Sequence, residues 1–257
     1  MYKLRNTVIV LFLIILVNGS CKNIFRKDLS LTLKEYQSKG MPEINIVWPQ
    51  SKLMEAYNSL LTVKTKSFHS LPRKGSRKSG AVFNQLLNKE NLSFIDDPEK
   101  PLREKALDTQ PVGLFVSELS RLYTDNFKTE QYYSEELIEI FIYEMYVRKR
   151  MLGLAEQIMQ STDPETISMQ AGRNGIVRGY VNLITTLIRN QEKTEAFSAR
   201  QLKKLTNEVA ISLKETIQYL DPETKKIISS EIKKVTDSSV SASLKKTNEE
   251  LLQLLAD

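Results

Sequence analysis

The sequence predicts an all-α protein, an irregular antiparallel bundle of about seven to nine helices. Three observations predict it. Apolar residues recur at i, i+3, i+4 and i+7 through most of the chain after residue 30. No segment longer than a few residues alternates with the period of two that a half-buried strand requires. Helix-start chemistry stands ahead of several stripes: Thr32 with Glu35 and Ser198 with Gln201 have capping-box spacing, and Asp221 precedes Pro222 as an N-cap precedes a first-turn proline. Charged residues at 26% and apolar residues at 41% suffice for a packed core, and only 9 Gly and 8 Pro argue against collagen-like or low-complexity chain.

Taken in order, Thr32 and Glu35 open a short helix that Gly40 closes. Pro42 and Pro49 bracket an extended piece carrying Trp48, the one tryptophan, which is expected to plug the core. Ser51 is the expected N-cap of a helix to about Val63, with Leu53, Tyr57, Leu60 and Leu61 on its apolar face. A helix over about 80–89 follows, with Val82, Phe83, Leu86 and Leu87 inward. Across 91–111 the pattern weakens. Asp96-Asp97-Pro98 and Pro101 are turn and helix-start chemistry, and Pro111 is expected to begin a new helix rather than continue one.

Ser134, Glu135 and Glu136 begin the strongest element, about 135–160. Its first half carries Leu137, Ile138, Ile140, Phe141, Ile142 and Met145 and leaves little polar surface, the signature of a helix buried among others. Arg148, Lys149 and Arg150 interrupt it, so it reads as a central helix and not a membrane span. Stripes over 176–188, 202–220, 227–235 and 244–255 supply the remaining helices. The N-terminal third is expected to be looser. The stretch 128–133 is a candidate boundary between two helical subdomains that share the central helix.

Residues 1–20 have a different physics. Lys3 and Arg5 precede an unbroken apolar run, 8–17 (VIVLFLIILV), and then Asn18, Gly19, Ser20 and Cys21. A spanning helix needs roughly 20 apolar residues, whereas this length suits the hydrophobic region of a signal peptide. Cys21 is the only cysteine, so no intramolecular disulfide can form. Lys3 and Arg5 are the only charges before Cys21. Their removal lowers the net charge from +6 to +4, which is mildly basic.

The segment 17–21 (VNGSC) resembles the lipobox of bacterial lipoproteins, in which lipid is attached to the cysteine and the peptide is cut just before it. Gly19 and Ser20 match the small residues of that pattern, and Asn18 stands where Leu is preferred. The resemblance implies a signal peptide over 1–20 and lipidation of Cys21 and says nothing of the fold beyond, where charge and periodicity read as a tether over 21–30 and a helical domain over 31–257. Plain secretion and an uncleaved anchor are the alternatives. Two further stretches, 71–80 (LPRKGSRKSG) and 131–137 (QYYSEEL), resemble small helical lipoproteins of Bacteroidota, a resemblance that carries no activity. Surface lipoproteins of that group tend to be acidic just after the lipidated cysteine. Here Lys22, Arg26 and Lys27 follow it. That points to the outer membrane facing the periplasm, with the cell surface as the alternative.

Few constellations suggest chemistry. His69 is the only histidine, and metal sites need several N or S donors, so no metal, cofactor or catalytic residue is expected. The turn Gly172-Arg173-Asn174-Gly175 reads as a helix entry. Carboxylates group at Glu135, Glu136 and Glu139 and at Glu249 and Glu250, and Glu135 and Glu136 read as first-turn acids that favour the helix dipole. The most distinctive polar feature is the segment 64–78, since no acidic residue occurs between Glu55 and Glu90. Arg73, Lys74, Arg77 and Lys78 lie there among Gly and Ser, as candidate anion-binding residues on a solvated loop.

The expected role is therefore a membrane-anchored envelope lipoprotein with a non-enzymatic binding or structural function. Its expected partners are the membrane, through lipid on Cys21, and an envelope protein or an anionic envelope component. Nucleic acid is not expected, because no recognised binding motif surrounds the basic run. A surface adhesin binding host factors, as in helical lipoproteins of some spirochaetes, and a hydrolase of an envelope polymer are the alternatives.

Overall fold

The computed structural model describes residues 28–65, 69–130, 132–190, 196–238 and 242–256. Residues 1–27, on which the expected signal peptide, Cys21 and most of the expected tether fall, lie outside the described residues.

The described residues form α-helices and short 3-10 turns, with no strand among them. The α-helices are α1 (Leu33–Gln37), α2 (Gln50–Lys64), α3 (Gly80–Leu86), α4 (Leu102–Glu130), α5 (Ser134–Gln160), α6 (Pro164–Ile167), α7 (Arg173–Asn190), α8 (Ala199–Thr216), α9 (Pro222–Ser238) and α10 (Ala242–Ala256). Nine of these have five residues or more, and α6 has four. The all-α bundle is as the periodicity predicts, with antiparallel packing between helices.

Local chemistry explains several ends. Both capping boxes form: the side chain of Thr32 accepts from the backbone N–H of Glu35, and Ser198 from that of Gln201, with each N3 side chain answering. Asp221 accepts from the N–H of Thr224 at 2.8 Å, so the helix behind Pro222 starts as expected. Gly40 sits at φ 93 where the chain leaves α1, a conformation glycine adopts without strain. Ser51, by contrast, lies inside α2, which begins at Gln50 behind Pro49 and has no side-chain cap.

The central helix α5 packs most extensively on α4 and also meets α7 and α8; α2 lies on α4, α9 on α7 and α10, and α10 on α8. One contiguous apolar cluster runs through all of this, from Tyr36 to Leu255. It takes in the described residues of the N-terminal third, which are packed rather than loose as expected: Tyr36, Leu53, Leu60, Leu71, Val82 and Leu86 have no exposure. Trp48 is a core plug, 1% exposed. Its ring N–H donates to the carbonyl of Glu43 at 2.7 Å, and its backbone N–H to the side chain of Asn91 at 2.9 Å. Gln85 braces the same piece, accepting from Asn45 N–H and donating to the carbonyl of Ile46.

Two further expectations fail for identifiable reasons. Pro111 does not start a helix; it lies inside the 29-residue α4. Proline removes one i to i−4 hydrogen bond, and burial of Val112, Phe115, Val116 and Leu119 just beyond it on the same helix outweighs that loss. Leu107, four residues earlier, is on the exposed side, where water can serve the carbonyl left without a donor. Leu61 is also 37% exposed, because α2 buries Ala56 and Val63 in its place.

Candidate functional site

The basic segment sits between α2 and α3, and its backbone is clamped by buried tyrosines. Tyr36 from α1 donates to the carbonyl of Ser70, and Tyr123 from α4 to the carbonyl of Pro72 at 2.7 Å. The hydroxyl of Tyr133, just before α5, accepts the N–H of Leu71 at 3.1 Å. All three phenols are fully or almost fully buried, and that burial pushes their hydroxyls well above the ordinary tyrosine range. They therefore remain protonated, and those of Tyr36 and Tyr123 act as donors.

Beyond Pro72 the chain turns through Gly75, at φ 68, with Ser76 N–H returning to the carbonyl of Arg73 at 3.2 Å. A hydroxyl network holds the turn. Ser79 accepts from the N–H of Arg73 at 2.9 Å and donates to Ser30 at 2.7 Å. Ser76 accepts the N–H groups of Lys78 and Ser79, both at 3.1 Å, and donates to Asp28. Asp28 also accepts the backbone N–H of Ser30 at 3.0 Å. Burial would raise its carboxyl, but the hydrogen bonds from Ser30 and Ser76 and the charge of Lys78 hold it below the usual aspartate range.

The four cations named from sequence divide into two kinds. Arg73 turns inward. Its Nε lies 3.6 Å from a carboxylate oxygen of Glu136, and its guanidinium stacks 4.2 Å from the centre of the Tyr132 ring. Lys74 gives its backbone N–H to the same Glu136 at 2.8 Å and pairs its ammonium with Glu139, which also receives Lys204 at 2.7 Å. Arg77 and Lys78 are exposed, and the ammonium of Lys78 lies 3.3 Å from the carbonyl of Asp28. The described residues 69–79 thus form a folded loop built onto α5, with Lys74, Arg77 and Lys78 on its exposed side.

Glu136 is the residue that sequence reasoning missed. It has no exposure. Burial pushes its carboxyl up, against the pull of Arg73 and of two backbone N–H groups, including that of Lys74. A signal was present. Glu136, Ile140, Glu144, Val147 and Met151 fall four, four, three and four residues apart, on one helical face, and all five are buried. Glu144 is the second buried acid of that face, 3.4 Å from Arg148, whose other contact is the hydroxyl of Ser117 at 2.7 Å. Burial raises its carboxyl too, despite Arg148, Ser120 and Ser117.

The other singled-out residues have structural settings. His69 is half-buried, its ring edge-on to Tyr132 at 4.5 Å. Arg173 opens α7 and is held by Glu156 at 2.7 Å and by the carbonyl of Tyr219 at 2.9 Å. Glu139 faces its two lysines, which hold its carboxyl below the usual glutamate range against the opposing effect of burial. A half-open hollow of about 290 Å³ lies where α4 and α6 begin, crossed by Arg103 and Glu165 at 3.6 Å. Among the described residues no three His, Cys, Asp or Glu side chains converge as metal ligands, and no helix is long and apolar enough to cross a membrane.

The chain matches no protein family, no curated protein and no solved structure.

Proposed function

We propose that the chain is a lipoprotein of a bacterial envelope, anchored through lipid on Cys21, whose helical domain serves a non-enzymatic binding or structural role. One observation carries the reading: the sole cysteine stands directly after a basic start, a ten-residue apolar run and the small residues Gly19 and Ser20. The described residues support it in two ways. Asp28, seven positions after Cys21 in sequence, is fastened to the domain by Ser30, Ser76 and Lys78. The two buried acids of α5 are engaged with Arg73 and Arg148, so they hold helices and a loop together.

The basic residues after Cys21 favour the outer membrane facing the periplasm, and the partners sought are an envelope protein or an anionic envelope component. The test is fractionation of cells making the protein with Cys21 or with Cys21→Ala. The native chain is expected in the membrane fraction after high-salt and carbonate washes. Cys21→Ala is expected to accumulate as a precursor still carrying residues 1–20. A fully processed, freely released Cys21→Ala chain would leave plain secretion as the better reading. Affinity capture from detergent-solubilised envelope then identifies what the domain holds.

A further inference from the structure

We propose that the outer turn of the loop, Arg73 to Gly75, is a proton-operated latch: it closes over Glu136 while that carboxyl carries a proton and lifts as the carboxyl ionises. The inference stands apart from the anchor.

The first support is how poorly an ionised Glu136 is served. The side chain has no exposure. Its Oε1 takes the N–H of Lys74 at 2.8 Å, and its Oε2 has no hydrogen-bond partner among the described residues. Nε of Arg73 stays 3.6 Å away, beyond hydrogen-bond reach, while the guanidinium stacks on the Tyr132 ring and donates to the Tyr132 carbonyl at 3.5 Å. A buried carboxylate so supplied gains by admitting water, whereas the neutral acid does not need it.

The second support is which piece can yield. On one side Tyr36, Tyr133 and Tyr123 pin the backbone of Ser70, Leu71 and Pro72. On the other, Ser76 is tied to Asp28. Between these pins the N–H of Arg73 rests on the hydroxyl of Ser79, and that of Lys74 rests on Glu136 itself. Lys74 and Gly75 are exposed, and Gly75 at φ 68 offers a pivot. Lifting Lys74 off Glu136 is therefore the route to hydration that leaves α4 and α5 packed. It also frees Arg73, the inward cation of the loop.

The surrounding charges fix the sign. Arg73 and Lys74 face Glu136 from the loop, Tyr123 from α4, and Tyr133 from the turn before α5, where Tyr132 holds Arg73. Glu135 and Glu139 share its helix, and Glu139 is taken up by Lys74 and by Lys204 of α8. Burial pushes the phenols of Tyr123 and Tyr133 up, and against burial the two lysines hold Glu139 down. Burial pushes the Glu136 carboxyl up against the pull of Arg73, so the closed form binds its proton more tightly than the hydrated, open form. Closure is complete below the ordinary value of 4.5 and is lost as pH rises through the closed-state value.

The experiment reads amide hydrogen exchange of the full chain, resolved to single residues by mass spectrometry with electron-transfer fragmentation. Protection factors, which remove the intrinsic effect of pH on exchange, are compared from pH 4.5 to about pH 8. The Lys74 amide should lose protection by up to about tenfold per pH unit, over the range in which closed and open carboxyls differ in protonation. Leu71, pinned to Tyr133, should stay better protected than Lys74 by about tenfold or more at every pH. Glu136→Gln keeps an acceptor for the Lys74 N–H and cannot ionise, so it should hold Lys74 protection constant. His69→Gln, which removes the histidine edge-on to Tyr132, should leave the fall at Lys74 in place. Constant protection of Lys74 in the native chain overturns the latch. Equal protection at Lys74 and Leu71 also overturns it, because the two then open together and not by a local lift. A fall that persists in Glu136→Gln, or vanishes in His69→Gln, assigns the titration to another group and overturns it as well.

Discussion

Arg73 and Glu136 meet across 3.6 Å, the guanidinium partly exposed and the carboxylate fully buried. This contact joins a loop to the first turn of the central helix. Removing one partner of a buried pair strands the other charge, at a cost of about 3 kcal/mol or more. Arg73→Ala should therefore lower the stability of the mature chain by about 3 kcal/mol, measured by urea denaturation. Arg77→Ala, on the exposed side of the same loop, should change it by less than about 0.5 kcal/mol. Equal small effects would mean that Arg73 is not a structural partner of Glu136.

The same carboxylate sets a pH dependence. Burial raises the Glu136 carboxyl in the folded chain above its unfolded value. The folded state then holds the proton more tightly than the unfolded state. The stability this contributes is complete below the unfolded value, near 4.5, and is lost as pH rises through the folded value. Glu136→Gln keeps an acceptor for the N–H of Lys74 and removes the titration. The variant should match the native chain at acid pH and gain on it progressively above that range. Paired urea titrations across pH follow the difference, in which the other titrating groups cancel. A difference independent of pH would show that burial does not govern this carboxyl.

Gly179 makes room for the second buried pair. A Cβ built there would lie 2.7 Å from Nη1 of Arg148, far inside contact distance. Gly179→Ala should displace the flexible end of Arg148 from Glu144 and Ser117, and the helix propensity gained by Ala over Gly, about 1 kcal/mol, offsets that loss, so the net change should stay within about 1 kcal/mol. In an Arg148→Ala background, where nothing is displaced, the same substitution should stabilise by about 1 kcal/mol. A double-mutant cycle reads that coupling, and additive effects would contradict the packing.

Asn248 lies on α10 with no exposure, and neither atom of its amide has a hydrogen-bond partner among the described residues. A buried amide without partners destabilises the fold. Asn248→Leu, similar in shape and apolar, should raise stability by about 1 kcal/mol, seen as a higher urea midpoint with an unchanged slope. A loss of more than that amount would reveal a partner for the amide.

Much of the fold was legible because its causes are local. Thr32 with Glu35, Ser198 with Gln201, and Asp221 with Pro222 each complete their hydrogen bonds within one turn of chain, so spacing alone predicts them. The burial of Trp48 followed from its size and isolation. The loop was less legible, because its partners are remote. Between Glu55 and Glu90 the sequence holds no acid, and the carboxylates that take Arg73 and Lys74 arrive on α5. Pro111 misled because proline's local cost is outweighed by apolar packing on both sides of it, which no short window shows. Glu136 and Glu144 were hidden in plain periodicity: both lie on the apolar stripe of α5, and reading Glu136 by its charge, as a first-turn acid that favours the helix dipole, concealed its place on the inward face.

The proposed anchor is tested most directly by the mass of the N-terminus of protein purified from membranes. The expected result is a chain that begins at Cys21, carries acyl groups on that residue and lacks residues 1–20. A chain beginning at Ser20, or at a Cys21 with no added mass, would contradict it.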